Sequence, residues 1–197
     1  MKKKLFLLIC ALAGFAFAHP HVFIDATIDL IFDENGFVGV KNKWTFDLIY
    51  SQAMIAAGDK NQNGKFEPDE LPLYKEQIVE AAREYSRFNY VGDGSTFFSP
   101  HESRDLAVSV DKNGKLVVEF LNVFRISGTA DDYTMLVVAV TDPTNYILIT
   151  TDMEKSEIKA PDAIDVEYFV DSLSDLTQFK NFSHSVKGLY VRFKKTN

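Results

Sequence analysis

The sequence predicts a mainly β protein of the α+β class, an antiparallel β-sandwich with an inserted helix–EF-hand loop–helix unit. Apolar and polar residues alternate along most of the chain, as in strands with one buried face. Turn signals that contain Gly separate pairs of these strands, as in β-hairpins. Residues 48–90 break the alternation and combine helical periodicity with a calcium-loop template. We therefore expect one domain over residues 19–197 with a helical insertion at about 48–90.

The first predicted hairpin begins at His19 and ends at Asp47. Every even position from 22 to 32 is apolar or small, and positions 38, 40, 44, 46 and 48 repeat this in the second arm. A two-residue Asn35-Gly36 turn would place each apolar face opposite a polar one. A three-residue turn, Glu34-Asn35-Gly36, instead aligns the apolar faces, with Gly36 in the left-handed position. This turn pairs residue 33 with 37 and residue 24 with 46.

The same register gathers candidate metal ligands on the polar face of the hairpin. Phe23 lies opposite Asp47, so Asp47 is diagonal to both His21 and Asp25 and within reach of them. His19 belongs to the same face, and imidazole nitrogen suits zinc, copper, nickel and cobalt. The predicted transition-metal site is therefore His19, His21, Asp47 and Asp25. The alternative is a frayed N-terminus with two solvated imidazoles.

Residues 1–18 read as a cleavable signal peptide for export to the periplasm. Lys2, Lys3 and Lys4 precede a short apolar run, and Ala16-Phe17-Ala18 is a cleavage signal. Cleavage after Ala18 would make His19 the first residue, and its α-amine would be a further candidate ligand. The single Cys of the chain lies in this segment, so the mature chain would have neither a disulfide nor a thiolate ligand.

The charge of the chain makes a nucleic-acid partner improbable and favours cations. The chain has 28 acidic and 21 basic residues, a net charge of −7. Removal of the signal peptide leaves 18 basic residues and a net charge of −10. Such a chain repels nucleic acid and attracts divalent cations.

Residues 59–70 fit the calcium-loop template D-x-[DN]-x-[DN]-G-x5-E at every specified position. The template assigns side-chain oxygens to positions 1, 3 and 5, a backbone carbonyl to position 7, a direct or water-mediated contact to position 9 and a bidentate carboxylate to position 12. We expect a short helix before the loop, over 48–57, and a longer one after it, to about residue 88. The predicted calcium ligands are Asp59, Asn61, Asn63, Lys65, Glu67 and Glu70.

This loop predicts a structural Ca²⁺ rather than a regulatory one. Calcium sensors usually pair two such loops, and this chain has one. Two of the first three ligands are neutral Asn, which lowers the expected affinity towards that of extracellular modules. The alternative is a polar surface loop that matches the template by chance.

The rest of the chain predicts further antiparallel strands. Residues 106–110 and 116–120 flank the turn signal Asp111-Lys112-Asn113-Gly114, where face parity again favours a three-residue turn. Residues 135–140 are continuously apolar, as in a strand buried on both faces. Further strands are expected at 146–150, 164–170 and 189–193. Seven or more strands in hairpin order favour a sandwich.

Signals of catalysis are weak, and we expect that the protein is not an enzyme. The sequence has no G-x-S-x-G, no H-E-x-x-H and no phosphate-binding glycine loop.

Four motifs occur in an order that resembles a bacterial family of periplasmic proteins with a domain of unknown function. Its members are often labelled as the periplasmic component of an ABC-type transport system. The resemblance covers nearly all of the mature chain and implies association with a nickel/cobalt-type or zinc permease of the inner membrane. Many members have Asp where this chain has Asn61 or Asn63, which implies a lower calcium affinity here. The motifs are His19-Pro20-His21-Val22-Phe23-Ile24-Asp25, Trp44-Thr45-Phe46-Asp47, the loop from Asp59 to Glu70, and Val140-Thr141-Asp142-Pro143-Thr144-Asn145-Tyr146.

The leading hypothesis is a periplasmic accessory protein that exchanges Zn²⁺, Ni²⁺ or Co²⁺ with an inner-membrane metal permease and carries a structural Ca²⁺. Two alternatives remain. A secreted enzyme could hold a redox copper with His19 and His21, and a calcium-dependent binding or scaffold module would need no transition metal.

Overall fold

Two β-sheets pack face to face in the computed structural model, which describes residues 21–176, 179 and 185–196. His19 lies outside the described residues. Sheet A has the order β5-β6-β2-β1-β8, with β9 also paired to β1, and sheet B has the order β10-β11-β7-β3-β4. The described strands are β1 (Val22–Asp33), β2 (Gly36–Phe46), β3 (Asn89–Gly92), β4 (Phe97–Phe98), β5 (Glu102–Val110), β6 (Leu116–Ser127), β7 (Thr134–Val140), β8 (Ile147–Thr151), β9 (Glu157–Lys159), β10 (Ile164–Ser172) and β11 (Lys187–Lys195).

The predicted mainly β sandwich is confirmed. Most strand pairs are antiparallel, but β8 and β9 run parallel to β1. Between β7 and β8 the chain crosses from sheet B to sheet A. The inner faces of both sheets form one apolar core. Phe32 of sheet A meets Phe193 of sheet B edge to face, with ring centroids 5.2 Å apart. Burial of each such side chain contributes about 1.5–3 kcal/mol, which is the main force that holds the sheets together.

The first hairpin has the predicted register but not the predicted turn. Ile24 pairs with Phe46, as face parity requires, and the even positions from 22 to 32 are buried. At the turn, however, Asp33 pairs with Gly36, so the connection is two residues long, Glu34 and Asn35. Phe32 pairs with Phe37, but Ile31 pairs with Gly39, so Val38 is an extra residue in β2. This bulge places the apolar residues of both strands on the same face again. The three-residue turn was therefore wrong because a bulge can correct parity anywhere along a hairpin.

The second hairpin follows the parity argument through its turn. Val110 pairs with Leu116, and the backbone N–H of Asp111 donates to the carbonyl of Lys115 at 2.9 Å. The turn between Asp111 and Lys115 has three residues, 112–114, and Gly114 takes the left-handed conformation with φ +79°. A residue with a Cβ is strained at such a φ, which explains the Gly.

Helical segments lie on both sides of residues 59–70. The entering helix is Leu48–Gly58, close to the prediction. The exiting segment, residues 71–88, departs from the regular helix that we expected: it is α-helical at Leu71–Tyr74, a π-helix at Lys75–Glu80 and 3₁₀ turns at Arg83–Phe88. The backbone N–H of Ala81 donates to the carbonyl of Glu76, which shows the wider π spacing. In the described part of the chain, no helix has both the length and the apolarity to cross a membrane.

Three buried asparagines form a polar network between the two sheets. Asn42 of β2, Asn89 of β3 and Asn122 of β6 are fully buried. Asn42 and Asn89 exchange side-chain hydrogen bonds at 2.8 and 3.0 Å, and the Asn122 amide donates to Asn89 at 2.9 Å. Because a buried amide without partners is costly, the network fixes how sheet B lies on sheet A.

Candidate functional site

The two ends of the loop 59–70 are held together by buried carboxylates. Asp59 is 7% exposed and Glu70 is 3% exposed. Asp59 accepts hydrogen bonds from the backbone N–H groups of Asn63 at 3.1 Å and Gly64 at 2.8 Å. Glu70 accepts from those of Lys60 at 2.8 Å and Glu67 at 3.1 Å. Each carboxylate therefore bridges two parts of the loop.

Neither buried carboxylate has a cationic partner. Among the described residues, no ion pair joins Asp59 or Glu70 to a Lys or Arg side chain. Both carboxylates are thus buried with hydrogen bonds from backbone N–H groups and without a paired cation. Such burial costs free energy unless a positive charge compensates for it.

The middle of the loop brings the remaining predicted calcium ligands together. The amide groups of Asn61 and Asn63 both donate to the Glu67 carboxylate, at 3.3 and 2.7 Å. The hydrogen bond from the Asn63 amide is the largest of the effects that hold the pKa of Glu67 below its usual value. The Asn63 Oδ1 atom accepts from the backbone N–H of Lys65 at 2.7 Å. A cation bound here would take over oxygens that now accept hydrogen bonds within the loop.

Tyr74 joins the two helical segments beside the buried carboxylates. Its hydroxyl donates to the carbonyl of Met54 in the entering helix at 3.2 Å. Burial, followed by the negative charges of Asp59 and Glu70, raises the pKa of Tyr74 to about 12. Gly58 makes this approach possible, since a Cβ at Gly58 would lie 2.2 Å from the Tyr74 hydroxyl.

A metal centre built from His, Cys, Asp and Glu alone is not found in the described ranges 21–176, 179 and 185–196, where no three such side chains are grouped to hold an ion. The predicted calcium shell does not have this composition. It includes two Asn side chains and the carbonyl of Lys65, and its carboxylates now accept N–H donors. The calcium assignment stays a prediction.

The candidate transition-metal residues lie at the open end of the first hairpin. The side chains of His21 and Asp25 are exposed. The backbone N–H of His21 donates to the backbone carbonyl of Tyr146 at 2.9 Å. The centroids of the two side-chain rings lie 5.0 Å apart. Asp25 pairs with Thr45 on one side and Thr150 on the other, further along the same face. The structure thus describes His21, Asp25 and Asp47, while the predicted ligand His19 is outside the described residues.

Asp47 has a structural function that the sequence analysis did not assign. It is the N-cap of the entering helix, where one carboxylate oxygen accepts the Tyr50 N–H at 3.0 Å. The other oxygen accepts the N–H of Phe23 at 3.0 Å. Burial raises the pKa of Asp47, but these backbone hydrogen bonds outweigh it and hold the pKa below its usual value. An Asp directly before a helix is a known cap signal and could have been used.

Comparison with known proteins gives one family. Residues 4–173 match the family described as "Protein of unknown function (DUF1007)". A comparison with curated proteins found no match.

Proposed function

The chain belongs to a family of proteins of unknown function, DUF1007, and we propose that this member is an exported accessory protein of a divalent transition-metal transport system. In this proposal the loop 59–70 binds a structural Ca²⁺. The open end of the first hairpin binds Zn²⁺, Ni²⁺ or Co²⁺ and exchanges it with an inner-membrane permease. The site of action is the periplasm, to which the predicted signal peptide directs the chain.

The buried carboxylates of Asp59 and Glu70 carry the proposal that the protein binds a divalent cation. They stand at positions 1 and 12 of a complete calcium-loop template and have no Lys or Arg partner in the described residues. A bound Ca²⁺ would replace the missing positive charge and would be held by oxygens, the ligands that Ca²⁺ prefers. Because only the folded loop gathers these oxygens, calcium would stabilise the fold.

The transition-metal part is supported by the position of His21. His19 precedes His21 by two residues, and alternation along an extended strand would put both side chains on the same face. Exchange with a partner requires an accessible site, and His21 is exposed. The neighbouring entering helix has no charged residue and exposes Leu48 and Ile49, the latter by 84%. Exposed apolar side chains beside the site suit a partner protein that receives the metal.

Elemental analysis of the exported protein tests the proposal. The mature protein should contain one equivalent of calcium and should retain zinc, nickel or cobalt after purification without added metal. The double variant His19→Ala/His21→Ala should lose the transition metal and keep the calcium. Mass spectrometry of the same sample checks that the mature chain starts at His19. Equal transition-metal content in the wild type and the double variant would contradict the transport proposal.

A calcium-dependent binding module is the second candidate, and the exposed apolar side chains of the entering helix favour it. Such a module needs no transition metal. Exported protein that contains calcium alone, with or without His19 and His21, would support this second function over the first.

A further inference from the structure

A cleft of about 490 Å³ lies between the open end of the first hairpin and the exiting segment. Its deep part is apolar and is lined by side chains of β1, β2 and residues 78–88. Sites for small molecules in proteins have this size and this kind of lining. The main apolar contributors are Ile24, Trp44, Phe46, Ile78, Ala82 and Phe88.

Tyrosines form the rim of the cleft. Tyr50 stacks on Phe46 with ring centroids 4.8 Å apart, and Tyr85 stacks on Phe88 at 6.3 Å. The hydroxyls of Tyr50 and Tyr85 make no hydrogen bond to another described residue. Burial, followed by electrostatic interaction with Tyr146 and Asp47, raises the pKa of Tyr50. The rim thus offers flat aromatic surface and hydrogen-bonding hydroxyls.

The charges around the cleft argue against an anionic ligand. No Lys or Arg is among the lining residues that the structure describes. The one lining carboxylate, Asp142, is 1% exposed and accepts from the Thr144 N–H, the Thr144 hydroxyl and the Ile147 N–H, each at 2.8 Å. These bonds satisfy Asp142 within its own loop. Among the described residues, the lining of the cleft therefore offers no Lys or Arg to an acidic group and no unsatisfied carboxylate to a basic one.

The outer wall of the cleft has an unusual backbone. The π-helix Lys75–Glu80 contributes Gln77 and Ile78 to it. Three consecutive residues that precede β3 are left-handed: Ser86 with φ +54°, Arg87 with +47° and Phe88 with +58°. Each such conformation costs about 1 kcal/mol or more, and π-helices and strained backbone both concentrate at functional sites. The backbone conformation of these lining residues is a second observation that favours a ligand site over a simple packing defect.

We propose that this cleft binds a neutral, mostly apolar small molecule with an aromatic or hydrocarbon body, whose polar group bonds to the Tyr50 hydroxyl. This goes beyond the metal-related function and does not rest on it. The molecule would lie between the apolar floor and the tyrosine rim and would remove both from water.

Two fluorescent probes that differ in charge test the ligand class. N-phenyl-1-naphthylamine is neutral, and 1-anilinonaphthalene-8-sulfonate has the same rings with an added sulfonate. Both are titrated into the mature chain, residues 19–197, in calcium buffer. The neutral probe should bind at least about tenfold more tightly, because the described lining of the cleft has no Lys or Arg for the sulfonate. Equal or tighter binding of the sulfonate probe would overturn the neutral ligand class.

A matched pair of substitutions tests the location. Ala81 lines the cleft with an exposed side chain, and Ala107 is exposed on β5. Ala81→Phe should weaken binding of the neutral probe by about tenfold or more, while Ala107→Phe should change it by less than about twofold. Gln77→Phe fills the same cleft and replaces Ala81→Phe if that variant does not fold. Unchanged binding in the filled variants would overturn the proposal.

Sedimentation of the same samples distinguishes a cleft that binds a small molecule from a cleft that a second copy of the chain fills. If the cleft binds a small molecule, the affinity of the wild-type chain for the neutral probe should not depend on protein concentration. A wild-type dimer that excludes the probe, and that Ala81→Phe dissociates, would show that another copy fills the cleft and would overturn the proposal. Melting curves with and without calcium, measured separately, report on the loop 59–70 alone.

Discussion

The loop 59–70 and the open end of the first hairpin both present carboxylates to a possible cation, but in different surroundings. In the loop, Asp59 and Glu70 are buried together without a Lys or Arg partner in the described structure. At the hairpin end, Asp47 is half-buried, and its two oxygens accept the N–H groups of Phe23 and Tyr50. Asp59 and Glu70 also accept two backbone N–H groups each, so the two regions differ in the burial of their carboxylates, and a cation would offset a larger burial cost in the loop. The arrangement at Asp47 is already stable as a helix cap.

If both regions bind metal as proposed, this difference predicts two kinds of metal binding. A cation that compensates for buried charge becomes part of the fold, because its release leaves two unpaired carboxylates in a low-dielectric interior. A cation bound by exposed imidazole at the hairpin end can leave without such a cost. We therefore expect a resident Ca²⁺ in the loop and an exchangeable transition metal near His21.

The largest effect is expected at Glu70. Glu70→Gln removes the bidentate carboxylate and should lower calcium affinity by about 100-fold. It should also remove most of the difference in melting temperature between calcium and EDTA buffers. Titration calorimetry and thermal melts of the mature chain measure both effects.

Asp69→Asn is the matched control for Glu70→Gln. It makes the same change of charge one residue earlier, at an exposed side chain that the template does not use as a ligand. Its calcium affinity should stay within about twofold of wild type. A wild type that melts at the same temperature in calcium and in EDTA would remove the distinction between the two regions.

His21→Ala is expected to have the next largest effect, and only on the transition metal. Loss of the imidazole should weaken zinc or nickel binding by more than about 100-fold and leave calcium binding unchanged. Wild-type binding should also weaken as the pH falls, because protons compete with the metal for imidazole nitrogen. Asp29→Asn is the control on the same strand, since Asp29 is engaged with Lys159 at the other end of the face. Equal zinc affinity in wild type and His21→Ala would leave this region a structural element only.

Two substitutions of Asp47 separate its role as a cap from a role at the metal. Asn caps helices about as well as Asp, so Asp47→Asn should keep the helix cap at Tyr50 and weaken transition-metal binding by about 10–100-fold. Its amide group cannot accept the second N–H, so the contact with Phe23 is lost. Asp47→Ala should in addition lower the free energy of unfolding by about 1 kcal/mol. Because the pKa of Asp47 is lowered, the stability from its charged form is present above the usual carboxyl pKa and is lost as the pH falls below it. Calorimetry and urea unfolding distinguish the two roles, and unchanged metal affinity in Asp47→Asn would confine Asp47 to the cap.

The two hairpins show how far the sequence could predict this fold. Both contain an Asp-x-Asn-Gly signal, and the same parity argument was applied to both. It correctly predicted the pairing of Val110 with Leu116 and of Ile24 with Phe46, since buried and exposed faces determine register. It did not predict the two-residue turn at Glu34 and Asn35. A local bulge shifts the turn without changing the faces, and its position depends on the neighbouring strand β6.

At the candidate sites the sequence predicted contacts between residues close in sequence better than contacts between distant segments. The loop 59–70 gathers its predicted residues because they are close in sequence. The network of Asn42, Asn89 and Asn122 depends on how two sheets meet, so it was missed, although Asn42 stands at an even, inward position of β2. The tyrosine-rimmed cleft depends in the same way on the irregular exiting segment, whose sequence pattern predicted a regular helix to about residue 88.

The smallest expected effect concerns Tyr74, with Tyr90 as its counterpart. Burial is the largest cause that raises the pKa of each tyrosine to about 12. The next cause is electrostatic interaction with Asp59 and Glu70 for Tyr74, and with Asp142 and Tyr85 for Tyr90. A raised pKa gives stability that is fully present below the usual tyrosine pKa and is lost as the pH rises through about 12. Tyr74→Phe should cost about 1 kcal/mol at neutral pH through its lost hydrogen bond to Met54. It should also flatten the alkaline loss of stability.

Calcium should change the contribution of Tyr74 and leave that of Tyr90 as it is. A bound cation cancels the charges of Asp59 and Glu70, so the pKa of Tyr74 should move back towards its usual value. The difference in unfolding free energy between wild type and Tyr74→Phe should then depend less on alkaline pH in calcium than in EDTA. The corresponding difference for Tyr90→Phe should be the same in both buffers, because Tyr90 is raised by groups outside the loop. Urea unfolding between neutral and alkaline pH measures both differences. Equal calcium dependence for the two tyrosines would place the cation away from Asp59 and Glu70.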